Sequence, residues 1–311
     1  MRAVQFEEYG PPDVLHVADV AEPHAGPGEV RVAVRASGVA AGETLIRAGA
    51  VRETVPVTFP FRTGFDAAGV VDEVGDGVTG TGVGDEVFGV VAAATRGANA
   101  DRAVLVAWAP KPTAWSWAEA GGAAGSVETS TRVLDRLGIG AGQTLVVQGA
   151  AGGVGTVAVQ LAAARGATVI GTASPHNHDL LRSLGAEPTT YGPGLVERVR
   201  ALASSGVDAV FDCARGALPD LIALAGDPSR VVTIADFDAA AHGVHFSLSA
   251  PGVTVGTADP PALHGLDNAV GLADDGRLRV PVAAAFELER AAAAHELSET
   301  RHATGKIVFV H

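Results

Sequence analysis

Four glycines stand between a strand-like run and a helix-like run in QGAAGGVGTVAVQ (148–160), and their spacing is that of a phosphate cradle. In such a turn the missing side chains let a pyrophosphate approach backbone N–H groups. The partial positive charge of the following helix N-terminus then holds the anion without a lysine or arginine. Ala150 begins an A-x-G-x-x-G variant of the dinucleotide fingerprint; Gly152, Gly153 and Val154 form the turn, and Gly155 lets the helix pack close to the sheet. The same glycines alone would also serve a plain turn. The flanks favour the cradle: TLVVQ (144–148) reads as a strand, 153–165 carries helical spacing, and TVIGT (168–172) reads as a second strand at the distance a βαβ unit requires.

The end of the second strand bears on which nucleotide fits. Sites for NAD place Asp or Glu there to bind the ribose hydroxyls. Here the chain continues GTASPHNHD, with Ser174 at the acid's position and His176, Asn177 and His178 behind it as donors. An acid would repel a 2′-phosphate and these groups would not, so NADPH is expected over NADH. Ser174 or Asn177 would equally cap the next helix, a role compatible with phosphate binding. Cys213 follows VDAVFD (207–212), and Ile234 and Asp236 close RVVTI (230–234) and its IADF continuation, all at strand C-termini where a cofactor crevice forms. Cys213 has a plainer alternative as a small buried filler. Phe65 and Phe237 either wall a substrate slot or pack a core.

The elements that must position these residues follow from the changing period. Up to about Ala109 the pattern is short β-type segments, 30–39, 67–75 and 85–91 among them, separated by Gly, Pro and Asp turns. From about Trp115 to Gly256 strands alternate with helices at about 153–165, 177–185, 194–204 and 217–225, with VTVGT (253–257) a further strand. Right-handed crossovers wind such units into a parallel sheet covered on both faces. The remainder has a helical stretch at 288–299 and ends in the strand GKIVFVH. The fold class is therefore α/β, a Rossmann doubly wound sheet (115–257) preceded by a β-rich, barrel-like unit.

Composition narrows the function classes. One cysteine among 311 residues excludes an intrachain disulfide and a cysteine-rich zinc site. The net charge of −13, with 22 scattered basic residues, argues against a nucleic-acid or anionic-membrane surface. Apolar runs are Ala-rich and short of a membrane span, and MRAVQFEEYG enters a strand pattern without an export signal, so a cytoplasmic protein is expected.

Taken together, MRAVQFEEYGPPDVL, GEVRVAVRASGV, GFDAAGVVDEVGDGVTGTGVGDEVFG, the glycine-rich block, LRSLGAE and GKIVFV occur in the order and spacing of a known family. The chain resembles the zinc-independent, ζ-crystallin-like quinone oxidoreductases of the medium-chain dehydrogenase/reductase superfamily. The resemblance implies a GroES-like domain built from both chain ends (1–114 and 258–311), an inserted Rossmann domain (115–257), and a homodimer formed through sheet edges. It also implies that Thr129 lies near the nicotinamide and that Tyr191 and Arg301 lie beside the 2′-phosphate. Tyr191 follows what the resemblance makes the third sheet strand, whose end faces the adenosine half. Where zinc-dependent relatives carry Cys and a His-Glu pair, this chain has Ala40, Phe65–Asp66 and, near Ala151, no thiol; no catalytic zinc is expected. In the loop GVAAGETLIRAG, Ala40, Glu43 and Leu45 replace the family's Asn, Asp and Tyr, while Thr44 and Arg47 stay polar. Thr44 and Arg47, with Phe65 and Phe237, are the candidate substrate-pocket residues; Glu43 and Arg47 have a salt bridge as their alternative, and no side-chain acid is assigned.

The expected activity is NADPH-dependent hydride transfer to a quinone-like acceptor in a dry cleft, with protons from solvent. Two alternatives stay open: reduction of an α,β-unsaturated carbonyl, an enoyl or alkenal reductase, and a non-catalytic NADPH-binding sensor.

Overall fold

A computed structural model describes residues 1–92, 96–248 and 255–311. In chain order its elements are β1 (Arg2–Phe6), β2 (His16–Asp19), β3 (Val30–Val39), α1 (Ala41–Arg47), β4 (Phe61–Arg62), β5 (Asp66–Val74), β6 (Glu86–Val91) and β7 (Arg102–Pro110). Next come α2 (Trp117–Gly121), α3 (Ala124–Arg136), β8 (Thr144–Gln148), α4 (Gly155–Ala164), β9 (Thr168–Thr172), α5 (His178–Ser183), β10 (Ala186–Thr189) and α6 (Leu195–Leu202). The chain ends with β11 (Ala209–Asp212), α7 (Leu218–Ala225), β12 (Val231–Thr233), β13 (His245–Phe246), α8 (His264–Asp274), β14 (Val282–Phe286), α9 (Ala291–Glu299) and β15 (Lys306–Val310). Two compact units result, Met1–Val127 with Leu263–His311, and Glu128–Ala262.

In the first unit the sheet order is β14-β15-β3-β5-β6-β7, and an additional β3–β7 pairing closes the last four strands on themselves. The alternation in VRVAVRASGV produces this: Val30, Val32, Val34 and Ala36 are buried while Arg31, Ala33 and Arg35 lie outside the core. Val30, Val32, Val71, Val87 and Leu105 fill the barrel. The C-terminal strand β15 runs antiparallel to β3, Ile307 opposite Val39. A smaller sheet, β2-β1-β4, completes the unit.

The second unit is a parallel sheet in the order β10-β9-β8-β11-β12-β13. Counted within the unit this is 3-2-1-4-5-6, the dinucleotide-binding order, with its direction reversing between β8 and β11. The central strands are buried on both faces, which explains why TLVVQ and AVFD read as continuous apolar runs. Pro188 is tolerated in β10 because that strand lies at the edge.

Several elements differ from the sequence reading. The sixth strand is β13, formed by HF at 245–246; of the strand expected at 253–257, residues 253 and 254 lie outside the described residues and 255–257 form bends. The segment read as a loop after β3 contains α1, whose first turn is held by Glu43, its Oε2 accepting from Ala40 N at 3.2 Å. Helices α2, α3 and α8 and strand β14 have no counterpart in the sequence reading.

Candidate active site

The glycine turn joins β8 to α4. Gly149 adopts φ +74°, the left-handed conformation that closes the turn. Thr172 at the end of β9 braces it: Gly149 N donates to Thr172 Oγ1 at 3.1 Å, and Thr172 Oγ1 donates to Gln148 Oε1 at 2.6 Å. Ala150 N donates to the Thr172 carbonyl at 3.0 Å, and Gly152 N to that of Gly149 at 3.1 Å. The glycines do different work. A Cβ on Gly155 would stand 2.3 Å from the Gly149 carbonyl oxygen and 2.7 Å from Ala150 Cα, so the fold itself needs glycine there. A Cβ on Gly152 would meet only the Gly149 oxygen, at an ordinary 3.4 Å. The turn stands without a glycine at 152; what the missing side chain leaves is room for something outside the chain. Val154 and Gly155 amides at the head of α4 find no acceptor among the described residues, which is the donor set an anionic dinucleotide needs.

Beside this turn lie the ends of β9 and β10, paired with Thr172 opposite Thr189. Ser174 Oγ and Tyr191 Oη meet there at 3.1 Å, so two residues singled out from the sequence form one hydroxyl pair. His176 is exposed in the turn after Ser174, Asn177 precedes α5, and His178 Nε2 lies 3.3 Å from the Ala173 carbonyl. The nearest acid in sequence, Asp179, is engaged with Arg182 at 2.8 Å. Arg198 of α6, unnoticed in the sequence, organises the corner: its guanidinium donates to the carbonyls of Thr190 (2.8 Å), Tyr191 (3.3 Å), Gly192 (3.3 Å) and Pro193 (2.8 Å). It holds the Tyr191 turn and brings a positive charge to it.

The ends of β11 and β12 carry a polar clasp. Asp212, fully buried, accepts from Ala214 N at 3.0 Å and from Thr233 Oγ1 at 2.7 Å. Thr233 Oγ1 in turn accepts from Ala235 N (3.1 Å) and Asp236 N (3.0 Å). Asp236 reaches back to accept from Gly216 N at 2.9 Å, and its other oxygen accepts from Asp238 N at 3.2 Å. Ile234 N donates to the Asp212 carbonyl at 3.0 Å. Burial, with no compensating cation among the described residues, pushes Asp212 up to about 7. Cys213 is half-buried, and burial plus the adjacent Asp212 carboxylate push its thiol well above its ordinary value, which keeps it neutral. Phe237, 40% exposed, stacks on Phe246 with centroids 5.0 Å apart. Thr129 lies half-buried on α3, its Oγ1 3.4 Å from Arg132 Nη2 and 3.3 Å from Glu128 Oε2.

The remaining sequence candidates belong to the first unit. Thr44 is buried in α1, where its hydroxyl donates to the Ala41 carbonyl at 2.8 Å. Arg47 is buried as well, bonded to the Gly10 carbonyl and paired with Glu299 of α9. Glu43 accepts from Gly64 N at 2.6 Å, and burial raises its carboxyl above the usual range. Phe65 carries the Arg96 guanidinium 4.7 Å from its ring centroid. Arg301 is exposed just past α9 at φ +57°. Among the described residues no group of three or more His, Cys, Asp or Glu is placed to hold a metal, and no helix is long and apolar enough to cross a membrane.

Comparison with known proteins agrees with this architecture. Residues 26–136 match the alcohol dehydrogenase GroES-like domain and residues 184–309 the family described as zinc-binding dehydrogenase. The chain is 32% identical over 293 residues to the spectinabilin polyketide synthase system protein NorB of Streptomyces orinoci, a match covering 91% of this chain and 13% of that protein. It spans 5–13% of the length of that protein and four further synthases it matches. It is 33% identical over 198 residues to 2-methylene-furan-3-one reductase of Solanum lycopersicum, covering 60% of this chain and 51% of that one. Among solved structures, the quinone oxidoreductase of Coxiella burnetii superposes with a TM-score of 0.82 at 27% identity, covering 100% of this chain and 99% of that one. With a sheet of dinucleotide-binding order, a glycine turn at its switch point and a GroES-like unit made from both chain ends, the chain belongs to the medium-chain dehydrogenase/reductase superfamily and is quinone-oxidoreductase-like.

Proposed function

We propose that the protein is an NADPH-dependent reductase that delivers hydride to a quinone-like small molecule without a catalytic zinc. The observation that carries the cofactor choice is the Ser174–Tyr191 hydroxyl pair, backed by Arg198, where an NAD site would present a carboxylate. The Val154 and Gly155 amides and the space at Gly152 would receive the pyrophosphate; Gly153 and Ala150 shape that turn. Ser174, Tyr191, His176 and Asn177 would take the 2′-phosphate end, with Arg301 a further contact. Cys213, Ile234 and Asp236 would line the crevice beyond β11 and β12, with Thr129 near the nicotinamide. When bound, the nicotinamide supplies a hydride; a quinone accepting it takes its remaining proton from solvent, so no side-chain acid is required. The single cysteine supports the zinc-free reading, and the same reading has the protein act as a homodimer in the cytoplasm.

A second reading is favoured by one comparison. The tomato relative is by its name a reductase of a 2-methylene-furan-3-one, a conjugated ketone. Hydride to the β-carbon of an enone and hydride to a quinone make similar demands on geometry, and the enone differs in needing a proton on carbon.

The test is a fluorescence titration with NADPH and NADH, followed by 1,4-benzoquinone and then an alkenal. Tighter NADPH binding and oxidation on adding quinone are expected, and Ser174→Asp should weaken NADPH relative to NADH by about tenfold or more through like-charge repulsion. Oxidation by the alkenal alone would transfer the assignment to the second reading. Binding without turnover by either acceptor would leave a nucleotide-binding protein and remove the reductase.

A further inference from the structure

Of the clasp at the ends of β11 and β12, the reading above uses Asp236 as a crevice residue and gives Asp212 no part. Its two carboxylates are reciprocal. Asp212, at the end of β11, reaches Thr233 of β12, while Asp236, beyond β12, reaches Gly216 in the loop beyond β11. Each loop is thus held by the acid of the other. The first loop also bears on the glycine turn: Cys213 N donates to the Gln148 carbonyl at 2.9 Å, and a Cβ on Gly149 would lie 3.0 Å from Ala214 Cβ and 3.4 Å from the Cys213 carbonyl carbon. Whatever occupies the glycine turn therefore abuts a loop fixed by Asp212.

Among the described residues no cation balances this carboxylate. The groups facing it are Thr233 at the end of β12, Asp236 beyond it, Gln148, its register partner on β8, and Cys213; Asp220 of α7, which packs on β11, is exposed, as is Arg215 in the loop after β11. Asp212 is thus poised near neutrality between its charged and neutral forms, and a further negative charge nearby must favour the neutral one.

We propose that Asp212 is a proton-coupled positioning residue of the dinucleotide site: binding of an anionic dinucleotide at the glycine turn is accompanied by proton uptake at this carboxylate, which holds the loops after β11 and β12 through Thr233 and Asp236. The inference rests on the cofactor reading. Its sign is fixed. Affinity is greatest where Asp212 is already protonated and falls as pH rises through about 7. A one-unit displacement on binding corresponds to about a tenfold change in affinity across the transition.

The experiment is calorimetric titration of the full chain with NADPH at pH 6, 7 and 8, in buffers of differing ionisation enthalpy, for wild type, Asp212→Asn, Thr233→Val and Thr233→Ser. The titrating 2′-phosphate contributes equally to all four, so differences between variants isolate the carboxylate. Wild type and Thr233→Ser should take up a fraction of a proton at pH 7 that Asp212→Asn does not, and wild-type affinity should fall about fivefold more than the variant's between pH 6 and 8. Thr233→Val removes a hydroxyl that stabilises the carboxylate, so its uptake should diminish at pH 7 and reappear at pH 8. This shift keeps the proposal testable if Asp212→Asn does not fold. NADPH binding with the same proton uptake in wild type and in Thr233→Val or Asp212→Asn would overturn the inference and leave the cofactor reading intact. Absence of binding of both NADPH and NADH to wild type would overturn the cofactor reading, and the inference with it.

Discussion

At the scale of single residues, two glycines of the turn, Gly152 and Gly155, can be separated by experiment. Gly155→Ala drives a methyl into the backbone of Gly149 and Ala150, which cannot yield as a flexible side chain would, so it should destabilise the protein by about 1–3 kcal/mol in urea unfolding. Gly152→Ala meets nothing closer than an ordinary contact and should leave stability unchanged while weakening NADPH binding. Equal stability losses in the two variants would mean that Gly152 serves the turn rather than a ligand. The pattern was legible in the sequence because glycine's meaning is local: its spacing and its place between a strand and a helix suffice. Thr172, Arg198 and Asp212 were not legible. Their partners are main-chain groups or residues on neighbouring strands, as when Arg198 gathers four carbonyls of one turn, and no spacing rule marks such a role.

At the scale of elements, α1 and α9 are tied by groups far apart in the chain. Arg47 pairs with Glu299, and among the described residues neither ring nitrogen of His295, fully buried on α9, finds a hydrogen-bond partner, nor does Arg47 Nε beside it. Burial, and then the Arg47 charge, push His295 down from 6.5 to about 4. A histidine depressed in the folded state binds protons more readily when unfolded. It costs nothing above its unfolded value and withdraws stability progressively as pH falls from 6.5 to about 4, by roughly 3 kcal/mol in all. Urea unfolding at pH 7 and pH 4.5 should therefore show a larger loss for wild type than for His295→Leu, which has nothing to protonate; equal losses would show that acid acts elsewhere. The helical spacing at 288–299 disclosed α9, but not its partner. The helix α1 was read as a loop because its seven residues span fewer than two turns, too short for a period to emerge.

At the scale of the whole molecule, the discontinuous unit was legible only through resemblance, since nothing in GKIVFV says that β15 pairs with β3. Net charge, in contrast, is read directly, and it has a kinetic consequence. A chain of −13 repels an anionic dinucleotide at long range, while Arg198 and the amides at the head of α4 attract it at contact. The two effects respond differently to salt. Raising ionic strength shortens the Debye length from about 30 Å at 0.01 M to about 8 Å at 0.15 M, which removes the long-range repulsion first. Stopped-flow association of NADPH should therefore accelerate about twofold or more over that range. The preference for NADPH over NADH should shrink over the same range, because the contact with the extra phosphate is screened as well. A rate that instead falls with salt would mean that the field at the glycine turn is set by the local cations and amides, and that the acidic surface does not govern approach.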